Sequence, residues 1–233
     1  MLVGFSTGSL ALQNFRMGLQ MVQGQPTAAI ELSALREDEL HPLIDALDSL
    51  ELGQFSYISF HAPSKLHTLS EQSLVEILAP VIQRGWPIVV HPDVITDFEQ
   101  WHALGECLCI ENMDKRKRVG RTTNELLPYF DHLTEAHLCF DIGHARQVDP
   151  TMCEAEIMLD TFQGRIRQIH LSLVNSNSGH EPLNYESIMA FQRVAHRIPK
   201  SVPIILETPV AGDRLGAEIE KVEMLMGVRN GLH

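Results

Sequence analysis

Short apolar runs bounded by turn residues recur along this chain about thirty residues apart, each followed by a segment of helical pattern. That alternation constrains the fold more than any other feature, because it is the signature of repeated βα units around a parallel sheet. Eight runs stand in order: Leu2–Phe5, Ala28–Glu31, Tyr57–His61, Pro87–His91, Cys107–Glu111, His137–Asp141, Ile166–His170 and Pro203–Glu207. Several are continuous apolar stretches, as strands buried on both faces should be. Between them the sequence predicts helices with recognisable ends. Leu10–Val22 follows Ser9 as N-cap, and Glu71–Arg84 follows Ser70 and stops at Gly85. A helix starting at Thr122 has Glu125 at the capping-box spacing. Met152–Phe162 stops at Gly164, Tyr185–Arg197 follows Asn184, and Asp213–Met226 closes the chain, while about two turns near Phe98–Leu104 separate the fourth and fifth strands.

Eight units in 233 residues fit an α/β single-domain (β/α)8 TIM barrel over residues 1–233, a fold whose usual size is about 250 residues. No Ser/Gly-rich linker divides the pattern. A doubly wound open sheet would place a Gly-rich phosphate turn after its first strand, and Ser6-Thr7-Gly8-Ser9 is a poor version of one.

Composition removes several function classes. With 44% hydrophobic and 21% charged residues the chain can bury a core and is not of disordered type. No apolar run approaches the roughly 18 residues of a membrane helix. The start, Met1-Leu2-Val3-Gly4-Phe5, has no basic region or signal-like cleavage site. A soluble, cytoplasmic protein with no membrane partner is therefore expected. Four cysteines, Cys107, Cys109, Cys139 and Cys153, form no CxxC pair and are too few for a disulfide framework. A net charge of −12 argues against a nucleic-acid partner held by phosphate neutralisation. Nothing in the composition speaks against an oligomer.

The chemistry lies at the strand ends. Six consecutive strands end in a metal-ligand residue: His61, His91, Glu111, Asp141, His170 and Glu207. The C-terminal ends of barrel strands face one another across a single mouth, so side chains spread over almost the whole sequence would meet there. Any one His at a strand end is more often a hydrogen-bonded rim residue than a ligand. Carboxylates packed together without a cation repel, however, whereas a divalent ion makes the cluster favourable. Mixed imidazole and carboxylate ligands suit zinc best, with manganese or iron as alternatives. His144, three residues past Asp141, and His180, in the loop after the seventh strand, are further candidates on the same side. Glu31 also ends a strand, either orienting a ligand histidine or simply lining the barrel beside a neighbouring donor. Cys109 and Cys139, two residues before Glu111 and Asp141, share their inward face and should pack beneath the site.

Lys115, Arg116, Lys117, Arg118 and Arg121 crowd the loop that follows Glu111 and Asn112. A charge run is most often a solvated face. This one stands at the mouth, where Asn112, Lys115, Arg116 and Arg121 are candidates for binding a substrate phosphate or carboxylate.

At these residues the chain resembles the AP endonuclease family 2 and xylose-isomerase-like barrel superfamily, most of all the endonuclease IV enzymes and also the sugar phosphate isomerases and epimerases. The strings that carry the resemblance are His61-Ala62-Pro63, Val90-His91-Pro92, Ile110-Glu111-Asn112, Phe140-Asp141-Ile142-Gly143-His144-Ala145, His170-Leu171 and Leu206-Glu207-Thr208-Pro209. The resemblance implies one metal site of Glu111, Asp141, His170 and Glu207, and a second of His61 and His91 sharing Glu111. It implies a third from His144, His180 and an Asp, where Ser178 stands instead. Two or three divalent ions per chain would follow. The chain is also shorter than endonuclease IV, with compact loops after its first two strands where that enzyme engages bent DNA.

Two enzymatic readings remain at this stage. One is metal-assisted hydrolysis of a phosphoester in a small anionic substrate other than abasic DNA. The other is isomerisation or epimerisation of a sugar or sugar phosphate, with one ion and Glu111 and Glu207 as the acid and base that shuttle a proton. Iron-dependent oxidation fits the same ligands, and a non-catalytic metal-binding scaffold is the third class.

Overall fold

The computed structural model describes residues 1–227; the last six residues of the predicted domain, His233 among them, lie outside the described residues. Eight parallel strands close into a barrel: β1 (Val3–Ser6), β2 (Ala29–Ser33), β3 (Tyr57–His61), β4 (Ile88–Val90), β5 (Leu108–Glu111), β6 (His137–Asp141), β7 (Ile166–Leu171) and, last in the chain, β10 (Ile204–Leu206). Neighbours in sequence are neighbours around the ring, and β10 closes it between β7 and β1. Two two-residue strands, β8 (Leu173–Val174) and β9 (His180–Glu181), form a separate antiparallel hairpin after β7. The eight predicted strands are the eight barrel strands, with ends displaced by a residue or two.

Strand side chains alternate between two environments. Those pointing outward, such as Phe5, Ile30, Leu32, Phe60, Ile88, Val90, Ile110, Phe140 and Leu206, are fully buried in one apolar layer beneath the helices. Inside the barrel, Val89, Cys109 and Cys139 make a small cluster of their own. The two cysteines thus pack below the strand ends, as their spacing predicts. The remaining interior is more polar than the apolar runs suggest: Glu31, Ser59 and Gln168 are all buried there.

The helices follow the predicted order with shifted boundaries. Leu10–Val22 is two pieces, Thr7–Leu10 and Phe15–Val22, and Asn14 rather than Ser9 caps the second by accepting from the Met17 N–H. Glu71–Ile77 and Ala79–Gln83 divide at Leu78, with Ser70 as N-cap and Gly85 at φ +65° beyond the end. Phe98–Trp101 runs into a 3-10 segment, His102–Cys107. Thr122 caps Thr123–His132, but no reciprocal capping box forms, because the Glu125 carboxylate accepts from the Arg121 backbone and guanidinium instead. The later helices are Cys153–Thr161, Tyr185–Ala195 and Leu215–Leu225, the second with a full capping box from Asn184 and Ser187. Two helices have no counterpart among the predicted ones. Glu37–Ile44 follows β2, and Ile142–Val148 follows β6 with no intervening loop. None of the described helices is long and apolar enough to cross a membrane.

Candidate metal centre

The ends of β3 to β7, with the residues just past β4 and β10, bring all six predicted strand-end residues together at the C-terminal mouth. Two ligand sets result: His61, His91 and Glu111, and Glu111, Asp141, His170 and Glu207, the ligand atoms of each set lying within 4.8 Å of one another. Glu111 belongs to both. Its Oε1 faces His170 Nδ1 at 3.3 Å and His144 Nδ1 at 3.4 Å; its Oε2 faces His91 Nε2 at 3.1 Å and His61 Nε2 at 3.4 Å. Glu207 Oε2 is 3.5 Å from His170 Nδ1. Two ligands each about 2.0–2.1 Å from a tetrahedral zinc ion stand about 3.3 Å apart, so these separations fit a shared ion as well as a hydrogen bond.

The chemistry of the donors also fits a cation. Asp141 Oδ2 is buried with no hydrogen-bond partner, an arrangement that costs free energy unless something positive meets it. Burial first, then the charges of Glu111 and Glu207, push the Asp141 carboxyl up to about 6 against the pull of His144. Burial likewise pushes Glu207 up. Glu111 is also buried, but the His170 charge and hydrogen bonds from His144, His170 and His61 hold it well below the usual carboxylate range.

Each ring is oriented by what its other nitrogen does. His61 Nδ1–H donates to the Ala62 carbonyl at 2.7 Å, leaving Nε2 toward Glu111. His170 Nε2–H donates to Glu31 Oε2 at 3.0 Å, leaving Nδ1 toward the cluster. Glu31 Oε2 also accepts from Ser59 Oγ at 3.2 Å and Gln168 Nε2 at 2.7 Å, and Tyr57 OH donates to Gln168 Oε1 at 2.7 Å. Both sequence readings of Glu31 therefore hold: it lines the barrel among donors and orients a candidate ligand. Replacing Glu31 with glutamine is expected to weaken metal binding at the four-ligand set about 10- to 100-fold, measured by competition with a chelator. Unchanged affinity would mean the His170 ring needs no such partner.

His144 and His180 fall outside both sets. His144 sits in the first turn of Ile142–Val148, buried rather than in a solvated loop, and its Nδ1–H donates to the Asn112 carbonyl at 3.0 Å. Gly143 lets that helix start so close to β7: a Cβ there would meet the Ser172 carbonyl oxygen at 2.6 Å. The ring centroids of His144 and His180 are 5.5 Å apart, but Ser178 is neutral and its hydroxyl donates to Gln147 Oε1. Among the described residues no third ligand group forms, for want of the carboxylate.

The basic loop divides differently from its sequence reading. Above the cluster a cavity of about 520 Å³ opens, and its cationic lining is Lys65, Arg116 and Lys117. Lys117 Nζ donates to Asp93 at 2.6 Å and approaches His91 Nδ1 at 3.4 Å, while Arg116 pairs with the buried Asp114 at 2.9 Å. Arg116 is where it was expected. Lys115 is exposed away from the cavity, and Arg121 is turned toward Glu125. Asn112 does not reach the cavity either: its amide receives the Asp141 N–H and donates to the Asp141 carbonyl, tying β5 to β6 under the site. Lys65 is the cation that sequence reasoning missed, and Lys117, placed at the mouth with the rest of the basic run, stood outside the binding candidates.

No family model matches the chain, and no curated protein is similar to it in sequence. Its structure is similar to endonuclease IV from Thermus thermophilus, with a TM-score of 0.64 at 17% identity, covering 98% of this chain and 100% of that one. A putative sugar phosphate isomerase/epimerase from Anabaena variabilis aligns with a TM-score of 0.57 at 16% identity, over 98% of this chain and 88% of its own. A xylose isomerase-like TIM barrel protein from Mycobacterium smegmatis, solved in complex with magnesium, aligns at 0.56 and 13%, over 94% and 90%. At these identities the likeness is one of fold, that of a closed eight-stranded parallel barrel.

Proposed function

We propose that the protein is a divalent-metal-dependent phosphoester hydrolase acting on a small anionic substrate. One observation carries this reading: a second ligand set, His61, His91 and Glu111, adjoins the four-ligand set through a shared carboxylate. A one-metal isomerase has no need of it. When bound, a pair of divalent ions lowers the pKa of a water and stabilises the attacking and leaving oxygens of an in-line displacement.

The chain's own residues hold and orient. Glu111 bridges the two sets, and its oxygens each face two imidazoles, which leaves it poorly placed to take a proton from a substrate carbon as an isomerase would require. Lys117, paired with Asp93, and Arg116, paired with Asp114, line the cavity above the cluster, where phosphoryl oxygens need countercharge. Water adds to phosphorus, the ester oxygen leaves with a proton, and an alcohol and inorganic phosphate or a monoester result. Zinc suits the ligand set best.

Metal analysis of protein purified without chelator tests this directly. About two ions per chain are expected, falling to one in a His61→Ala, His91→Ala double variant that also loses hydrolysis of an aryl phosphate. A single ion in the parent, retained with unchanged activity in the double variant, would sink the hydrolase reading in favour of the isomerase.

A further inference from the structure

We infer that the cavity selects a phosphoester whose organic group is apolar, an aromatic or branched alkyl group rather than a polyol. This rests on the phosphoester reading and names the substrate class within it. The barrel order places β5 across the ring from β1. The cationic side chains Arg116 and Lys117 come from the loop after β5, whereas the facing wall, built by the loops after β10, β1 and β2, is Pro209, Leu12 and Leu35. Lys65, from the loop after β3, is a third cation at the Leu35 end of that wall, so the hydrocarbon forms an arc from Pro209 through Leu12 to Leu35 above a floor of candidate metal ligands.

Leu12 is the telling residue. It lines the cavity with 58% of its surface exposed, so an apolar group bound there would cover hydrocarbon that otherwise faces water. It is held there by the turn Ala11–Asn14, in which Asn14 N–H donates to the Ala11 carbonyl at 2.9 Å and Gln13 adopts φ +65°. Side chains other than glycine rarely take that conformation, and such outliers gather at ligand sites. Behind it, Gly8 makes room for Leu35, since a Cβ at Gly8 would meet Leu35 Cδ1 at 2.9 Å.

The same wall is poorly suited to a sugar. Two serines line the cavity, and both spend their hydrogens on backbone, Ser9 Oγ donating to the Ser6 carbonyl at 2.9 Å and Ser64 Oγ to the Leu35 carbonyl at 3.2 Å, so toward a ligand each can only accept. A polyol facing Leu12, Leu35 and Pro209 would lose water and find no donor among those three side chains to replace it. An apolar group there gains burial instead, and about 520 Å³ is within the range that accepts a ligand of that size.

Calorimetric titration of the zinc-loaded chain with phenylphosphonate, methylphosphonate and glucose 6-phosphate tests the inference without relying on turnover. Phenylphosphonate should bind about tenfold or more tighter than methylphosphonate, with glucose 6-phosphate no tighter than methylphosphonate. In Leu12→Ser and Leu35→Ser the phenyl-to-methyl ratio should fall toward one. Equal binding of the two phosphonates, a ratio untouched by both substitutions, or preference for the sugar phosphate would overturn the inference and leave the hydrolase standing. Binding of neither phosphonate to the metal-loaded chain would overturn both.

Discussion

Glu111→Gln is expected to lose both bound ions and all hydrolytic activity, the largest effect of any single substitution in this chain. The reason is topological. Every other ligand serves one set, whereas Glu111 Oε1 and Oε2 face imidazoles of both. Glutamine keeps the shape but removes the charge, and its amide would present N–H donors to imidazoles that must themselves be unprotonated to ligate. Glu207→Gln is the control, because it touches only the four-ligand set and should leave one ion behind. Stability gives an independent readout. At a free zinc concentration about a hundred times the dissociation constant, one bound ion stabilises the fold by about 2.7 kcal/mol, a melting-temperature rise on the order of 5–10 °C for a chain of this length. The parent, with two ions, should show about twice that rise, Glu207→Gln about the one-ion rise and Glu111→Gln none. A Glu111→Gln variant that still held two ions would show that the two sets do not depend on a common carboxylate.

What could be read from sequence, and what could not, follows from how each residue reaches the site. His61, His91, Glu111, Asp141, His170 and Glu207 were legible because parallel barrel strands all end at one mouth, so position at a strand end is itself a coordinate. Glu31, Ser59, Gln168 and Tyr57 lie a residue or more deeper. Whether Glu31 meets His170, 139 positions away, depends on the stagger of the strands around the ring, and no local pattern encodes that. The helix Ile142–Val148 was hidden for a different reason: Asp141 is at once the last strand residue, the N-cap that accepts the His144 N–H at 2.6 Å, and a candidate ligand. A single residue with three roles gives one signal. In the basic run, charge said nothing about direction. The buried Asp114 draws Arg116, Glu125 draws Arg121, and Asp93 from the neighbouring β4 loop draws Lys117 to the mouth.

Zinc affinity should rise steeply with pH, and the metal-free and zinc-loaded chains should answer pH in opposite directions. Without metal, burial alone would lower the His170 pKa, yet the charges of Glu207, Glu31 and Glu111 raise it well above the ordinary value; His61 is raised by Glu111 and Glu31 against the same burial. Both shifts favour a proton on the nitrogen that faces the ligand sets, which zinc must displace. Each displaced proton makes affinity change about tenfold per pH unit. Calorimetry in buffers of different ionisation enthalpy should return a net release of protons on zinc binding at pH 7. The stability of the metal-free chain has its own signs. His144 is raised to about 10, so its contribution is complete below its ordinary value of 6.5 and is lost as pH climbs through 10. Asp141, raised from 3.8 to about 6, likewise contributes below its ordinary value and loses that contribution as pH passes 6. Glu111 is held low, so its contribution is present above 4.5 and lost only in acid. The metal-free melting temperature should thus peak in mildly acidic solution and decline toward alkaline pH, while the rise produced by zinc grows over the same interval. Zinc binding with no net proton release at pH 7 would mean that the imidazoles are already neutral in the metal-free chain, and that the carboxylates around them do not hold their protons.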